Sequence, residues 1–211
     1  MPENVKPNRC VIICASPEFH LAGLRADDYI IACDGGYEHA VRSGVRPHLV
    51  LGDFDSYAGE VEGDIPTLRA PCEKDDTDTM LAIKLALEEG YRDFLLLGAT
   101  GGRLDHMLAN ISAAVYIAGH GGSCVIEDRF NRVHVLRDGS LTLRGLKGQT
   151  LSVLSYTDEA QGVTLTGMKY PAKDYTMTSA FPIGVSNVVL SDECSVTVKR
   201  GVLLVIEEGV R

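Results

Sequence analysis

Apolar residues in the first 130 positions fall into short runs that are separated by stretches with helical spacing. Such runs, bounded by polar and glycine residues, predict strands at 9–15, 29–33, 48–51, 93–97 and 123–126. Each run is almost wholly apolar, which is typical of strands buried on both faces of a parallel sheet. This half of the chain is therefore predicted to be an α/β domain with a mainly parallel sheet.

Two helices are predicted between these strands, and both follow directly on polar motifs. Apolar residues recur at helical spacing within 77–89, where Thr77 or Asp76 can cap the first turn and Gly90 can end the helix. The second helix should run from about 104 to 117.

After about residue 130 the apolar pattern changes to a period of two. Alternating segments, separated by Asp-Gly, glycine and proline turns, lie at 133–136, 141–143, 150–154, 163–165 and 195–198. This alternation is typical of an antiparallel sandwich or barrel. We therefore expect two domains, at 1–130 and 131–211.

Charge and terminal sequence narrow the function classes. The net charge is -9, and residues 1–129 carry 11 Lys and Arg against 21 Asp and Glu. Because phosphate backbones select basic surfaces, we expect no nucleic-acid partner. The polar N-terminus lacks a secretory apolar stretch, and no apolar run approaches the roughly 20 residues that span a bilayer. We therefore expect a cytoplasmic protein with no membrane partner.

The six cysteines lie mostly in apolar runs and form no Cys-x-x-Cys pair. This distribution favours buried thiols over disulfides or a structural zinc site.

Aspartates cluster after the predicted strands and before the first long helix, at Asp34, Asp53, Asp55, Asp75, Asp76 and Asp78. In open parallel sheets, ligands bind beyond the carboxyl ends of the strands, so these side chains are predicted to face one cleft. Two carboxylates about 4 Å apart repel by roughly 4 kcal/mol at an effective dielectric near 20. A divalent cation relieves this repulsion, and oxygen ligands favour magnesium. Any one aspartate can equally be a turn former or helix cap. Asp75, which directly follows Lys74, is the one best explained as only an ion-pair partner or a cap.

A glycine-rich turn at 98–106 follows one apolar strand and opens the second helix. Glycines let backbone N–H groups approach phosphate oxygens, and the helix N-terminus favours anions. Arg103 can clamp a phosphate with its planar fork. The segment is neither a Walker A motif nor a dinucleotide fingerprint, so plain tight-turn geometry is an equal alternative. His106 is equally compatible with a capping or core position.

Four segments together resemble the thiamine pyrophosphokinase family. In chain order they are Asp34-Gly35-Gly36, Gly52-Asp53-Phe54-Asp55-Ser56, Lys74-Asp75-Asp76-Thr77-Asp78 and Gly101-Gly102-Arg103-Leu104-Asp105-His106. The resemblance extends to later blocks at 167–171, 184–187 and 201–206. Each motif is modest, but the ordered set is specific and covers nearly the whole chain.

The resemblance implies an α/β domain that binds ATP and magnesium, a C-terminal β-sandwich that binds thiamine, and a homodimer with sites at the subunit interface. Asp53, Asp55 and Asp78 would bind magnesium and act in catalysis. The nucleotide would be bound by Asp34, Gly35, Gly36, Thr77, Gly101, Gly102, Arg103, Asp105 and His106. Ser186 and Asn187 would contact thiamine.

The resemblance also implies a reaction in which the thiamine hydroxyl attacks the β-phosphorus of ATP and expels AMP. A cluster aspartate is the hypothetical proton acceptor. Some family members place a tryptophan near the final strand, whereas this chain has no Trp and carries Leu203-Leu204-Val205 there. Tyr170, Phe181 or an aliphatic wall are the possible replacements.

Two rival functions remain open from the sequence. Asp53-Phe54-Asp55-Ser56 after an apolar strand is similar to the nucleophile motif of haloacid-dehalogenase phosphohydrolases, in which Asp53 would form an acyl phosphate. Against this, the motif follows the third predicted strand and leaves the β half unexplained. The other rival is a nucleotide-sensing module without turnover, and loss of turnover in Asp53→Asn and Asp78→Asn variants would distinguish an enzyme from it.

Overall fold

The computed structural model of this 211-residue chain describes residues 5–21, 23–52, 61–69 and 76–209. The chain divides into two compact units, Met1–Arg129 and Phe130–Arg211. Within the described residues, no helix combines the length and apolar character that crossing a bilayer requires.

The first unit contains a parallel sheet with helices between its strands. Its elements are β1 (Cys10–Ile13), β2 (Tyr29–Cys33), α1 (Gly36–Arg42), β3 (Leu49–Gly52), β4 (Thr67–Arg69), α2 (Asp78–Glu88), β5 (Asp93–Leu97), α3 (Leu104–Gly119) and β6 (Ser123–Glu127). Strands pair in the order β6-β5-β1-β2-β3-β4, and each of these pairs is parallel. Strands thus occur at all five positions that the apolar runs predict.

The central strands of this sheet are buried on both faces. Val11 and Ile13 of β1 pack in one core cluster with Tyr37 and Ala40 of α1. Ile12, which points to the opposite face, has no solvent exposure. The continuous apolar runs are therefore explained by two covered faces rather than by one.

Helix α2 begins where its capping residue predicts. The side chain of Thr77 accepts a hydrogen bond from the backbone N–H of Met80 at 3.2 Å. Of the two candidate caps, Thr77 is therefore the one that closes the first turn. Gly90, with φ +96°, follows the end of the helix.

The second unit is built from antiparallel strands. They are β7 (Asn131–Arg137), β8 (Ser140–Arg144), β9 (Thr150–Ser155), β10 (Glu159–Thr166), β11 (Ala172–Thr178), β12 (Asn187–Val188), β13 (Glu193–Thr197) and β14 (Val202–Glu208). Strands β7, β14, β9 and β12 pair in that order, and β11, β10, β13 and β8 form another sheet. Val153 and Val205 of the first group share one core with Val163 and Val196 of the second, so the two sheets face each other across it.

Candidate functional site

A cavity of about 460 Å³ lies beyond the carboxyl ends of β1 and β2 in the first unit. Asp34, which follows β2, and Asp76 and Asp78, at the start of α2, all line it, as expected for residues at the carboxyl edge of a parallel sheet. The other three aspartates of the predicted cluster, Asp53, Asp55 and Asp75, lie outside the described residues.

The carboxylate of Asp34 depends on a glycine at the end of the neighbouring strand. A β-carbon on Gly52 would come within 1.9 Å of Asp34 Oδ1. Asp34 itself has a φ of +45°, and its backbone N–H donates to the carbonyl of Leu51 at 3.0 Å. The strand order thus brings the Asp34 carboxylate to the point where the segment beginning with Asp53 leaves β3.

Gly35 and Gly36, the other residues of this motif, have a packing role. A β-carbon on Gly36 would lie 2.1 Å from the carbonyl oxygen of Ile13, and one on Gly35 would lie 3.2 Å from the β-carbon of Ala15. Only glycine at 36 lets α1 begin this close to β1.

The acidic residues before α2 differ in their surroundings. Asp76 accepts two hydrogen bonds from Lys84 Nζ, at 2.7 and 2.8 Å, and these bonds raise the pKa of the Lys84 ammonium. Asp76 therefore has the ion-pair role that the sequence suggested for Asp75. Asp78 is the first residue of α2, where the helix dipole favours a negative charge.

The glycine-rich turn after β5 is a tight turn that packs against the segment following β1. Gly98, Gly101 and Gly102 have φ values of +60°, +80° and +64°. A β-carbon at 101 would meet Glu18 Cγ at 2.4 Å, and one at 102 would meet Pro17 Cδ at 2.8 Å. These glycines are therefore required by backbone conformation and close packing.

Two buried side chains, neither of them among the predicted site residues, hold this turn. Asn110 of α3 donates from Nδ2 to the carbonyl oxygen of Ala99 at 2.9 Å. Thr100 Oγ1 donates to the buried Asp128 carboxylate at 2.6 Å. The available signal was a polar residue, Asn110, on the otherwise apolar buried face of a helix.

Arg103, Asp105 and His106 lie where the turn enters α3. The Arg103 guanidinium donates to both carboxylate oxygens of Asp105, at 3.1 and 2.6 Å, and these bonds hold the pKa of Asp105 below its usual range. Both side chains are exposed, so the bidentate pair is weakly held. Arg103 and His106 line the cavity, and a phosphate can replace Asp105 on the guanidinium.

The cysteines near the cavity are buried thiols. All five described cysteines are free and buried, as predicted, and Cys72 lies outside the described residues. Burial raises the pKa of Cys14 to about 11 and holds that of Cys33 well above its ordinary value. These groups therefore stay neutral at neutral pH and add no charge to the acidic cavity.

The second unit has a cavity of about 630 Å³ with a mostly apolar wall. Tyr170, Tyr175 and Val185 contribute to this wall. Of the two aromatic residues considered as replacements for a tryptophan, Tyr170 lines the cavity and Phe181 does not, although both side chains are exposed.

Ser186 and Asn187 differ in what their side chains do. The Asn187 amide is buried; its Oδ1 accepts from the N–H groups of Tyr170 and Val188 at 3.0 and 2.9 Å, and its Nδ2 donates to the Tyr170 carbonyl at 2.8 Å. Ser186 is exposed, with φ +57°, and its N–H donates to Ser152 Oγ at 2.9 Å. Asn187 thus positions the Tyr170 backbone, while the Ser186 hydroxyl is open to a ligand.

Family models match both units of the chain. Residues 22–126 match the model described as "Thiamin pyrophosphokinase, catalytic domain", and residues 132–203 match "Thiamin pyrophosphokinase, vitamin B1 binding domain". This chain belongs to the thiamine pyrophosphokinase family. The phosphohydrolase and nucleotide-sensing alternatives are not favoured by these matches.

Individual thiamine pyrophosphokinases are similar over most of their length. The chain is 28% identical over 182 residues to the thiamine pyrophosphokinase of Bacillus subtilis, covering 83% of this chain and 85% of the relative. The crystal structure of the thiamin pyrophosphokinase from Geobacillus thermodenitrificans has a TM-score of 0.84 at 27% identity, covering 96% and 98% of the two chains. The Bacillus subtilis crystal structure, with a TM-score of 0.87 at 24% identity and coverage of 97% and 100%, supports the fold.

Thiamine pyrophosphokinases use ATP and typically a divalent metal, and the cavity offers suitable oxygen atoms. Carboxylates of Asp34 and Asp78 and the Thr77 side chain line it together, and hard oxygen ligands suit magnesium. In the part of the chain that the structure describes, no three His, Cys, Asp or Glu side chains form a metal site by themselves. Magnesium is commonly held by one or two carboxylates plus substrate phosphates, so this donor set fits it.

Proposed function

We propose that the first-unit cavity binds ATP and magnesium while this chain transfers the pyrophosphoryl group of ATP to the hydroxyl of thiamine, giving thiamine diphosphate and AMP. The observation that carries the placement is that Asp34, Asp78 and Arg103 meet in one cavity at the carboxyl ends of parallel strands. This is the position at which open α/β sheets bind ligands.

The acidic side and the basic side of the cavity have different proposed roles. Asp78, with Asp53 and Asp55 from the segment after β3, would hold magnesium. Arg103 would exchange Asp105 for a phosphate, gaining a bidentate contact with a group of higher charge. The remaining nucleotide contacts are assigned to Asp34, Gly35, Gly36, Thr77, Gly101, Gly102, Asp105 and His106.

Catalysis in this proposal comes mainly from alignment and charge. Magnesium, when bound, neutralises charge on the phosphates during transfer. Arg103 orients the phosphate chain, so that the thiamine hydroxyl meets the β-phosphorus in line with the departing AMP. An aspartate of the cluster accepts the hydroxyl proton. The acidic side chains also favour the approach of the cationic thiazolium ring.

Thiamine is assigned to the second unit. The apolar cavity beside Tyr170 suits a flat heteroaromatic ring, and the exposed Ser186 hydroxyl is available to a polar group of the substrate. As the family resemblance implies, we propose a cytoplasmic homodimer in which the α/β unit of one subunit works with the sandwich of the other.

The test is product analysis with the purified full chain. We expect AMP from ATP only when thiamine and magnesium are present, with thiamine diphosphate formed in equal amount. Asp78→Asn should abolish AMP release, whereas Asp192→Asn, which alters an exposed carboxylate in the second unit, should leave it unchanged. Thiamine-independent AMP, or phosphate release from a monoester, would overturn the proposal.

A further inference from the structure

Two thiols lie side by side on neighbouring strands at the wall of the first-unit cavity. In the parallel ladder, Ile13 of β1 is level with Ala32 of β2. The next residues along each strand direction, Cys14 and Cys33, are therefore also level. Because successive side chains of a strand alternate between faces, Cys14 and Cys33 share the face opposite to that of Ile13 and Ala32. Neighbouring strands are about 4.8 Å apart.

The first turn of α2 covers both sulfur atoms. Thr79 Oγ1 donates to Cys14 Sγ at 3.4 Å, and Cys33 Sγ donates to the backbone carbonyl of Asp78 at 3.7 Å. Both cysteines are free, and each retains 2% exposure while lining the cavity of about 460 Å³. A compound that enters this cavity therefore meets two thiols on one side of it.

The other described cysteines have no such neighbour. Cys10 of β1 and Cys124 of β6 are both level with Phe94 of β5, which lies between them. Two strand spacings, about 9.6 Å, therefore separate them. Cys194 lies in the second unit. Among the cysteines that the structure describes, Cys14 and Cys33 are thus the adjacent pair.

We propose that Cys14 and Cys33 form a dithiol site that captures trivalent arsenic compounds. Arsenic in this state is a soft centre that prefers sulfur ligands, and two thiols on adjacent strands can bond it together. With an organoarsenic oxide, two S–H bonds and the arsenic–oxygen bond break and two arsenic–sulfur bonds form. The oxygen leaves as water with both protons. Sulfur and arsenic keep their oxidation states, so no oxidant or reductant is needed.

Capture at this site would block the nucleotide cavity, a consequence that rests on the proposed function. The adduct would lie beside Asp34 and Asp78, which follow or contact the two cysteines. ATP and the arsenic compound should therefore exclude each other, whereas the capture itself requires only the two thiols.

The experiment uses the full chain carrying Cys72→Ala, so that every remaining cysteine is one that the structure describes. Phenylarsine oxide should add one phenylarsenic group per chain and remove two titratable thiols, as measured by intact mass and thiol titration. A small dithiol should reverse the addition and a monothiol should not. ATP with magnesium at ten times its dissociation constant should slow capture about tenfold.

Variants and peptide mapping locate the adduct. Cys14→Ala and Cys33→Ala should each abolish two-thiol capture, and Cys124→Ala, which changes a buried cysteine of the same sheet, should retain it. Alkylation of the remaining thiols followed by peptide mapping should find Cys14 and Cys33 protected, a readout that needs neither variant to fold. Absence of capture by the folded chain, or protection of other cysteines, overturns the proposal. Capture that ATP does not slow leaves the dithiol site standing and contradicts the placement of ATP.

Discussion

The Asp34 carboxylate lies against the α-carbon of Gly52, where a β-carbon would approach Asp34 Oδ1 to 1.9 Å. Asp34 directly follows β2 and Gly52 ends the neighbouring strand β3, so this contact fixes how closely the Asp34 carboxylate approaches the end of β3. Position 52 of the Gly52-Asp53-Phe54-Asp55-Ser56 motif therefore requires glycine, because any side chain there would collide with the Asp34 carboxylate.

Gly52→Ala should impair the reaction by displacing the Asp34 carboxylate. A shift of about 1 Å in a site of this kind costs on the order of 10²-fold in rate, so we expect a comparable loss of kcat/KM for ATP. Gly63→Ala is the matched control, because nothing lies within 4 Å of a β-carbon at that position. Steady-state kinetics and calorimetric titration with a non-hydrolysable ATP analogue measure the effect; equal behaviour of the two variants would contradict it.

Asn110→Asp should weaken ATP binding through the glycine-rich turn. The change replaces the N–H donor to the Ala99 carbonyl with an oxygen, which repels that carbonyl at the observed 2.9 Å. As a positioning residue, Asn110 should affect the KM for ATP more than kcat. Thr100→Val, which removes the bond to Asp128, should have the same pattern. Ser112→Ala, on the exposed side of α3, is the control; a loss confined to kcat would contradict the positioning role.

Strand positions were predictable where burial is uniform. The runs at Tyr29–Cys33 and Asp93–Leu97 coincide with β2 and β5 because buried parallel strands require continuous apolar residues. In the first unit, helix α1 and strand β4 were not predicted. Helix α1 has seven residues, begins at a glycine and buries few side chains, and all three residues of β4 are exposed, so neither carries a clear periodic signal.

The candidate site was predictable only in part, for a related reason. Acidic residues that follow strands or open helices could be grouped because both positions lie at the carboxyl edge of a parallel sheet, as Asp34 and Asp78 do. The partners of Asn110 and Asp128 could not be predicted, because these bonds join residues 11 and 28 positions apart in the chain. Their formation depends on how the turn folds over α3 and β6.

The buried pair of Arg9 and Asp28 should give the first unit a stability that is lost in acid. Burial alone would raise the pKa of Asp28, but hydrogen bonds from Arg9 and from the backbone N–H of Arg25 outweigh it and hold the pKa below its usual range. A lowered pKa stabilises the fold above the unfolded value of about 3.9, and the contribution disappears as pH falls through the folded value.

Asp28→Asn should therefore lower the free energy of unfolding at pH 7 by about 3 kcal/mol, since it leaves a buried guanidinium without its counter-charge. The difference from the parent chain should shrink as the pH falls below about 4. Urea denaturation across this pH range measures it. Asp64→Asn, which breaks an exposed pair with Arg46, should change stability little. A pH-independent difference would show that Asp28 acts by packing alone.

Ser186 and Asn187 should separate substrate contact from positioning in the second unit. Asn187→Ala leaves the backbone groups of Tyr170 and Val188 without their partners, so the free energy of unfolding should fall by at least about 2 kcal/mol. The KM for thiamine should rise with it, because Tyr170 moves. Ser186→Gly removes the hydroxyl while glycine accepts the φ of +57° without strain.

Ser186→Gly should therefore raise the KM for thiamine and leave the free energy of unfolding unchanged. Urea denaturation paired with thiamine kinetics distinguishes the two positions. An Asn187→Ala chain with parental stability and a raised KM would instead mean that the amide itself contacts thiamine. That result would require the amide to break three hydrogen bonds, of 2.8 to 3.0 Å, when thiamine binds. This rearrangement should appear as a lag in pre-steady-state kinetics.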